Sequence, residues 1–280
     1  MVYSSRMPAH ERRTAVPTDD YAPRYVVWEL TLRCDLACTH CGSRAGRPRH
    51  EELDIDELRD VARQLGEMGT RECVVIGGEA YLHPRWLDVV AALHEQGIRV
   101  LMTTGGRGLT AERAQQGKAA GLSQVSLSID GLRETHDTLR NLRGSFDAAL
   151  RAIGHARDAG LEVTANTQFN RLNLPEVEAL ADVLIEAGVS AWQVQITGPM
   201  GRAADMAERL LQPYDLLELV PRVAAVARRA RERGVAVTAA NNLGYFGPYE
   251  AELRSGHFFQ GCIAGRYGLG IESNGDIKGC

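Results

Sequence analysis

The sequence predicts an α/β fold in which strand–helix units repeat around a parallel sheet. Runs of β-branched residues alternate with amphipathic helical segments along most of the chain, which is the pattern of βαβ units. A glycine also follows the last turn of five predicted helices, at the C′ position that favours this residue; these are Gly69, Gly97, Gly121, Gly160 and Gly188. Six such units fit a partial (β/α)6 TIM-like barrel. A doubly wound open sheet has the same local pattern, so periodicity leaves both architectures open.

The six predicted strands are rich in β-branched and aromatic residues, which favour strands. They cover Tyr25–Leu32, Glu72–Ile76, Arg99–Thr103, Gln124–Ile129, Glu162–Phe169 and Ala191–Ile196. The helices between them place their apolar residues at helical spacing. They cover Ile55–Met68, Pro84–Gln96, Ala111–Ala120, Phe146–Ala159 and Pro175–Ala187.

Three further segments complete the predicted organisation. Residues 1–23 are polar and contain prolines, which predicts an arm with little regular structure. A seventh unit, with a helix over Pro213–Arg233 and a strand over Val235–Ala239, completes a domain predicted to span residues 24–240. Residues 241–280 break the alternation with glycines and aromatic residues. We interpret these aromatic residues as packing between domains, and the alternative is that they line a substrate channel.

Composition excludes several classes of function. The chain has 280 residues, of which 44% are hydrophobic and 24% charged, with a formal net charge of −4. This balance gives no electrostatic reason to expect nucleic acid or an anionic membrane as a partner. No apolar run reaches the length of a membrane span, and the N-terminus lacks a signal-peptide core. We therefore expect a cytoplasmic protein, in which clustered cysteines favour metal binding over disulfides.

Three cysteines, Cys34, Cys38 and Cys41, lie in a C-x3-C-x2-C spacing directly after the first predicted strand. Thiolates on one short loop can converge on an iron centre. A [4Fe-4S] cluster takes four thiolates, so three would leave one iron open to a substrate or cofactor. The alternative is a structural zinc site completed by His40 or His50, because zinc prefers four protein ligands.

This cysteine spacing after a strand resembles the radical S-adenosylmethionine (radical SAM) superfamily. The resemblance implies a partial (β/α)6 barrel that binds a [4Fe-4S] cluster and SAM. It also implies that the open iron is chelated by the amino and carboxylate groups of SAM. Reductive cleavage of SAM in this family gives methionine and a 5′-deoxyadenosyl radical, which abstracts a hydrogen atom from the substrate.

Two predicted strand ends resemble the SAM-binding motifs of the family. Gly77, Gly78 and Glu79 follow the second strand and resemble its GGE motif, whose glutamate accepts hydrogen bonds from the SAM ammonium. The family's usual proline is replaced here by Ala80. The third strand is followed by a sequence similar to the family's T-N-G, with Thr104 in place of asparagine; a plain glycine turn is the alternative.

Later strands add the rest of the predicted SAM site. Ser128 and Arg140 have the separation of a family pair that holds the SAM carboxylate, a group suited to bidentate binding by arginine. Arg143 is an equal chemical candidate, and Asp130 is expected to be structural. The family uses an asparagine on the fifth strand to bind ribose hydroxyls, and the resemblance assigns this role to Asn166. The sixth strand carries two glutamines, Gln193 and Gln195, which face either the substrate or the core. No residue is predicted to be catalytic.

Cys262 and Cys280 frame a C-x12-G-x4-C pattern with Gly275 as its glycine. This pattern resembles the start of a SPASM or twitch extension, whose cysteines bind an auxiliary [4Fe-4S] cluster. The Asn274-Gly275 pair between apolar residues predicts a β-hairpin independently. The family's further ligands are not in this sequence, so we expect the extension to be truncated. Cys73 is expected to be a buried apolar residue.

Members of this branch include many enzymes that modify ribosomally made peptides, so the resemblance implies a peptide substrate and a reductant such as flavodoxin or ferredoxin. The short N-terminal arm leaves no room for a leader-peptide-binding domain, which would then be a separate protein. The alternatives are a small-molecule dehydrogenase, a sulfatase-maturase-like oxidation, or a non-catalytic zinc or electron-transfer iron–sulfur protein.

Overall fold

The computed structural model describes residues 21–254 and 262–278, and within these ranges the strands form one nine-stranded sheet. The strand order is β7-β6-β5-β4-β3-β2-β1-β8-β9, and every neighbouring pair is parallel except β8 with β9. The predicted α/β fold is confirmed. The first seven strands follow chain order without the reversal that defines a doubly wound sheet, so the barrel-type alternative is the one observed.

The predicted strands are all present, with small shifts at their ends. The nine strands are β1 (Tyr25–Glu29), β2 (Glu72–Ile76), β3 (Arg99–Thr104), β4 (Leu122–Ser128), β5 (Glu162–Phe169), β6 (Ala191–Ile196), β7 (Ala236–Ala239), β8 (Gly268–Ile271) and β9 (Ile277–Lys278). The largest difference is that β1 ends at Glu29 rather than Leu32. The chain turns away there because the Thr31 hydroxyl and the Leu32 backbone N–H donate to the Glu52 carboxylate, at 2.8 and 3.1 Å.

Eight α-helices lie in the described part of the chain, besides short 3-10 segments. They are α1 (Ile55–Glu67), α2 (Trp86–Glu95), α3 (Ala111–Ala119), α4 (Arg133–Arg140), α5 (Ser145–Asp158), α6 (Val177–Ala187), α7 (Leu216–Glu232) and α8 (Glu250–Leu253). The five predicted C′ glycines all have positive φ, between 72° and 107°. Helix α4 was not predicted, because its sequence RETHDTLR has almost no apolar face. This helix nevertheless buries His136 and Arg140, both of which belong to the site described below.

The C-terminal segment joins the barrel sheet instead of standing apart from it. Strand β8 pairs in parallel with β1, and the predicted hairpin is present, with β9 antiparallel to β8 and Gly275 in its turn at a φ of 87°. The Leu53 backbone N–H donates to the carbonyl of Ser273 at 2.8 Å, which fixes the turn near the start of α1. The pairing with β1 was not predicted.

Several predictions concern residues at the margins of the described chain. Residues 1–20 of the predicted arm lie outside the described residues, as do Phe258 and Phe259 of the aromatic-rich segment 241–260. Within that segment Phe246 is buried in the core, as the packing interpretation expects, while Tyr245 is exposed. No helix in the described ranges is both long and apolar enough to cross a membrane.

Candidate functional site

The cysteine loop leaves the carboxyl end of β1 and is fixed by backbone hydrogen bonds to several other elements. The Cys34 N–H donates to the Gly46 carbonyl at 3.2 Å, which closes the loop on itself. The Thr39 N–H donates to the Leu139 carbonyl of α4 at 2.8 Å, and the Cys41 carbonyl accepts from the Arg202 N–H at 2.9 Å. The loop therefore has a defined shape before any cofactor is considered.

All three loop cysteines are free thiols in differing environments. Cys38 is buried, whereas Cys34 and Cys41 are partly exposed. Burial raises the pKa of Cys34 to about 12. Burial also raises the pKa of Cys38, although the neighbouring Arg140 guanidinium opposes the increase. A bound metal would supply the positive charge that these thiols need to ionise.

The spacing of the sulfurs bears on which metal centre the loop suits. Within residues 21–254 and 262–278, only Cys34, Asp35 and Glu79 form a set of three potential metal-binding side chains whose ligand atoms lie within 4.8 Å of one another. A zinc ion held by the three cysteines would need the sulfurs gathered at least that closely. A cluster spaces its thiolates more widely because each one binds a different iron, and the expectation of a cluster on this loop stays a prediction.

The glycines after β2 lie directly against the cysteine loop. A Cβ atom on Gly78 would be 2.6 Å from the Cys34 Cβ and 2.3 Å from the Arg33 carbonyl oxygen. A Cβ on Gly77 would be 2.4 Å from the Thr31 carbonyl oxygen. The sequence analysis connected these glycines with SAM binding, through their resemblance to the family's GGE motif. The structure adds a different reason, since only glycine lets the β2 turn pack on this loop.

Glu79 is fully buried and held in place by the next strand. Its carboxylate accepts a hydrogen bond from the Thr104 hydroxyl and another, at 2.7 Å, from the Gly105 N–H. Burial raises the Glu79 pKa to about 7, although these two hydrogen bonds oppose the increase. The Thr104 hydroxyl also accepts from the Gly106 N–H at 2.9 Å. Thr104 thus contacts Glu79, and its hydroxyl positions this carboxylate.

Arg140 lies at the end of α4, and its buried guanidinium reaches two groups of the site. One terminal nitrogen donates to Cys38 Sγ at 3.6 Å, and the other forms an ion pair with Asp130. The alternative candidate Arg143 is exposed. Ser128 is partly buried at the end of β4, where it lies opposite Asn166 of β5 in the sheet register.

Asp130 connects four parts of the site. One carboxylate oxygen accepts from the Gln168 N–H of β5 at 2.8 Å, and the other accepts from His40 Nε2 at 2.9 Å and from Arg140. Burial favours the protonated acid, but Arg140 and His40 keep the Asp130 pKa below its ordinary value. His136 accepts from the Asp130 N–H at 3.1 Å, and burial lowers the His136 pKa to about 4. The sequence analysis expected Asp130 to be structural, and the structure adds its contacts with β5, His40 and Arg140.

Arg202 is a site residue that sequence reasoning did not identify. Its Nε donates to the Cys38 carbonyl at 2.7 Å, and its Nη1 donates to the Ala45 carbonyl at 3.0 Å. Beside it, a Cβ on Gly201 would lie 2.3 Å from the Cys41 carbonyl oxygen. His40 was likewise considered only as a zinc ligand. No local sequence signal distinguishes such contacts, because they join residues 90 and 164 positions apart in the chain.

Asn166 is half-buried on β5, where its side-chain NH2 donates to the Ser126 hydroxyl at 2.7 Å. Its buried carbonyl oxygen has no hydrogen-bond partner among the described residues, and neither has the buried Nε of Arg140. Gln193 lies opposite Asn166 in the register of β6 with β5, and Gln195 lies opposite Gln168. Buried polar atoms normally have partners, so this acceptor and this donor indicate a ligand.

The structure describes one of the two cysteines predicted to bind the auxiliary cluster. Cys262 is an exposed free thiol whose sulfur accepts from the Ala264 N–H at 3.4 Å. Cys280 lies outside the described residues. Cys73 is buried in β2, as expected for an apolar core residue.

The residues present fit the expected cofactors. Three free thiols on one preformed loop suit an iron–sulfur cluster with an open iron. A buried carboxylate and a buried guanidinium lie beside that loop, and an unpaired amide oxygen lies on β5; these groups complement the ammonium, carboxylate and hydroxyl groups of an amino-acid-bearing nucleoside.

Sequence comparison identifies relatives across most of the chain. The Radical SAM superfamily profile matches residues 28–184. The AdoMet-dependent heme synthase of Nitratidesulfovibrio vulgaris is 29% identical, over 97% of this chain and 77% of the relative. The PqqA peptide cyclase of Rhizobium meliloti is 26% identical, over 92% of this chain and 67% of the relative.

Comparison of structures gives the same fold. SuiB of Streptococcus suis, in a crystal structure with bound S-adenosylmethionine, superposes with a TM-score of 0.77 at 20% sequence identity. The match covers 93% of this chain and 60% of SuiB, so this chain spans less than two thirds of that protein's length. SuiB has also been crystallised with its precursor peptide SuiA.

Proposed function

The chain belongs to the radical SAM superfamily, and we propose that Cys34, Cys38 and Cys41 hold its [4Fe-4S] cluster and that it abstracts a hydrogen atom from a substrate. Enzymes of this superfamily use such a cluster together with SAM. The observation that carries the proposal is the direct packing of the cysteine loop on the Gly77-Gly78-Glu79 turn. A Cβ on Gly78 would be 2.6 Å from the Cys34 Cβ, so the thiols and the turn form one site.

Each surrounding side chain has a proposed role toward SAM. When bound, the cluster supplies an electron that cleaves SAM to methionine and a 5′-deoxyadenosyl radical. Glu79, held by Thr104, accepts hydrogen bonds from the SAM ammonium. The unpaired Nε of Arg140, together with the Ser128 hydroxyl, donates to the SAM carboxylate. The unpaired carbonyl oxygen of Asn166 accepts from a ribose hydroxyl.

We also propose that Cys262 and Cys280 contribute to an auxiliary [4Fe-4S] cluster. The exposed thiol of Cys262 lies close to the hairpin that the C-x12-G-x4-C pattern predicts. Two thiolates do not complete a cluster, so further ligands would have to come from residues other than these two.

Anaerobic reconstitution with iron, sulfide, SAM and dithionite tests the proposed chemistry. We expect the protein to release 5′-deoxyadenosine and the Cys38→Ala variant to release none, because a two-thiolate loop does not retain the cluster. Cys73→Ala is the matched control, since Cys73 is a free thiol in the β2 core, and it should keep the activity. Release of 5′-deoxyadenosine at the wild-type rate by Cys38→Ala would refute the assignment.

For the substrate we propose a ribosomally synthesised peptide. Support comes from the similarity to a PqqA peptide cyclase and from the fold shared with SuiB, which binds a precursor peptide. The electron would come from a flavodoxin or ferredoxin, and a separate protein would bind the leader segment of the peptide. An oxygen-sensitive cluster requires a reducing compartment, which is why we place the enzyme in the cytoplasm.

A step in heme formation is the second candidate, and the similarity to an AdoMet-dependent heme synthase favours it. Parallel assays separate the two substrate classes. One assay offers a short peptide encoded beside the gene and follows its mass, and the other offers an iron porphyrin precursor and follows heme by absorbance. Turnover of the porphyrin without turnover of the peptide would overturn the peptide proposal. Turnover of neither would favour the small-molecule or sulfatase-type oxidations.

A further inference from the structure

We propose that Arg140 and Asp130 form a buried charge pair that sets the electron affinity of the cluster on the cysteine loop. The pair acts through the hydrogen bond from Arg140 to Cys38. This inference rests on the proposed function only in assuming that Cys38 is a cluster ligand. It assigns to Arg140 a role toward the cluster that is separate from any contact with SAM.

The geometry places a cationic donor directly on one cluster-binding sulfur. Arg140 Nη1 lies 3.6 Å from Cys38 Sγ, within hydrogen-bond reach of a sulfur acceptor. The two residues are 8% and 7% exposed, so little water screens the interaction. Among the described residues no other side chain donates a hydrogen bond to the sulfur of Cys34, Cys38 or Cys41. Arg140 therefore contacts a cluster-binding sulfur through a side-chain hydrogen bond, while the Asp35 and Glu79 carboxylates lie within 4.8 Å of the Cys34 sulfur and act on the cluster by their charge alone.

Elementary electrostatics gives the direction of the effect. Reduction adds a negative charge to the cluster and its thiolates, and a nearby cation stabilises that charge. Hydrogen bonds to cluster sulfurs and local net charge are known determinants of the reduction potential. Arg140 should therefore raise the potential and make the cluster easier to reduce. The carboxylate of Asp130, paired with the same guanidinium, should offset part of this effect.

The other contacts of Asp130 make the two members of the pair separable. Its carboxylate also accepts from His40 Nε2 at 2.9 Å and from the Gln168 N–H at 2.8 Å, so it stays in place if Arg140 is replaced. Removing Arg140 leaves a buried negative charge near Cys38. Neutralising Asp130 leaves the positive charge uncompensated. The two substitutions should therefore shift the potential in opposite directions.

The test is a redox titration of the reconstituted full chain, followed by electron paramagnetic resonance in the absence of SAM. We expect Arg140→Met to shift the midpoint potential of the loop cluster to a more negative value and Asp130→Asn to shift it to a more positive value. Arg140→Lys, which keeps the charge, should recover part of the wild-type value. Arg143→Met is the matched control, because Arg143 is an exposed arginine three residues away, and it should leave the potential unchanged.

Opposite shifts in the two variants are a signature that simple loss of structure does not give. A potential unchanged in Arg140→Met, or shifted in the same direction by both substitutions, would overturn the inference. If Asp130→Asn fails to assemble a cluster, the comparison of Arg140→Met with Arg140→Lys decides, since a charge effect requires the two to differ. If the wild-type protein releases 5′-deoxyadenosine and the Arg140→Met variant has an unchanged midpoint potential, only this inference is refuted. A wild-type protein without that product refutes the proposed function instead.

Discussion

The cysteine loop of residues 30–46 and the C-terminal segment of residues 262–278 both carry cysteines that the sequence predicts to bind iron. The loop is held by the turn after β2, by α4 and by Arg202, and Cys38 on it is buried. In the C-terminal segment Cys262 is exposed, and within the described ranges its sulfur accepts a hydrogen bond from the Ala264 N–H. The hairpin nearby is fixed by β1 and by the start of α1.

The difference teaches that the barrel fixes the cysteine loop from several sides, whereas the described part of the C-terminal segment is fixed mainly at its hairpin. Ligand sites in parallel barrels lie where several strand ends meet, because the loops there can be fixed from many sides. The cysteine loop has that position. We therefore expect its cluster to assemble independently of the C-terminal segment, and the predictions below test this independence.

The largest expected effect comes from adding a methyl group where the loop meets β2. In Gly78→Ala the new Cβ would lie 2.3 Å from the Arg33 carbonyl and 2.6 Å from the Cys34 Cβ, which the backbone cannot accommodate without moving. Overpacking of this kind costs about 1–3 kcal/mol. We expect a large loss of bound iron after reconstitution, measured by iron and sulfide analysis.

Gly275→Ala is the corresponding change in the C-terminal hairpin. Gly275 has a φ of 87°, a conformation that costs an alanine about 1–2 kcal/mol. The added Cβ would be 3.2 Å from the flexible Leu53 side chain. Stability should fall while the iron of the loop cluster is retained. Equal iron loss in both variants would contradict the independence of the two regions.

A second pair of substitutions removes, for each region, an arginine that contacts it. Arg202→Met loses the charged hydrogen bonds to the Cys38 and Ala45 carbonyls, each worth about 1.5–3 kcal/mol. Arg49→Met loses the contacts that tie the hairpin through Ser273 and Glu272. We expect both to lower the melting temperature, but only Arg202→Met to slow the release of 5′-deoxyadenosine. If Arg49→Met lost activity while Arg202→Met kept it, the expected dependence of activity on the cysteine loop would be contradicted.

The last predicted effect is a pH dependence of stability to which His136 of α4, beside the cysteine loop, contributes. Burial, aided by Arg140, lowers the pKa of His136 to about 4, against an ordinary value of 6.5. The unfolded chain therefore binds more protons between these values, so the stabilising contribution is complete above pH 6.5 and is lost as the pH falls toward 4. His136→Gln should flatten this part of the profile in urea unfolding of the apoprotein. A variant profile as steep as that of the wild type would exclude His136 as the source.

Much of the fold follows from the sequence, because its strands and helices are strongly patterned and its helix ends carry glycines. The strands β2, β5 and β6 have the predicted bounds. Helix α4 escaped prediction because its buried side is polar, formed by His136 and Arg140 as well as Leu139. The pairing of β8 with β1 joins segments at opposite ends of the chain, and local patterning carries no information about such a contact.

The site was predicted through its motif residues, and what the sequence could not give is how they contact one another. The spacing of the cysteines and the motif at Gly77 located the site, but the packing reason for the glycines required the structure. His40 and Arg202 act through partners distant in sequence, so nothing around either residue distinguishes it from a surface side chain. The metal-binding role of the cysteines and the SAM contacts of Glu79, Ser128, Arg140 and Asn166 stay predictions.

The central claim is that three thiolates of the loop hold an iron–sulfur cluster with one iron open to SAM. Its most direct test is the electron paramagnetic resonance spectrum of the reduced protein with both C-terminal cysteines replaced, Cys262→Ala and Cys280→Ala, recorded with and without SAM. We predict about four irons per chain, as a single cluster requires, and a spectrum that changes when SAM is added. A spectrum that does not change when SAM is added, or a chain that binds one zinc ion and no iron, would contradict the account.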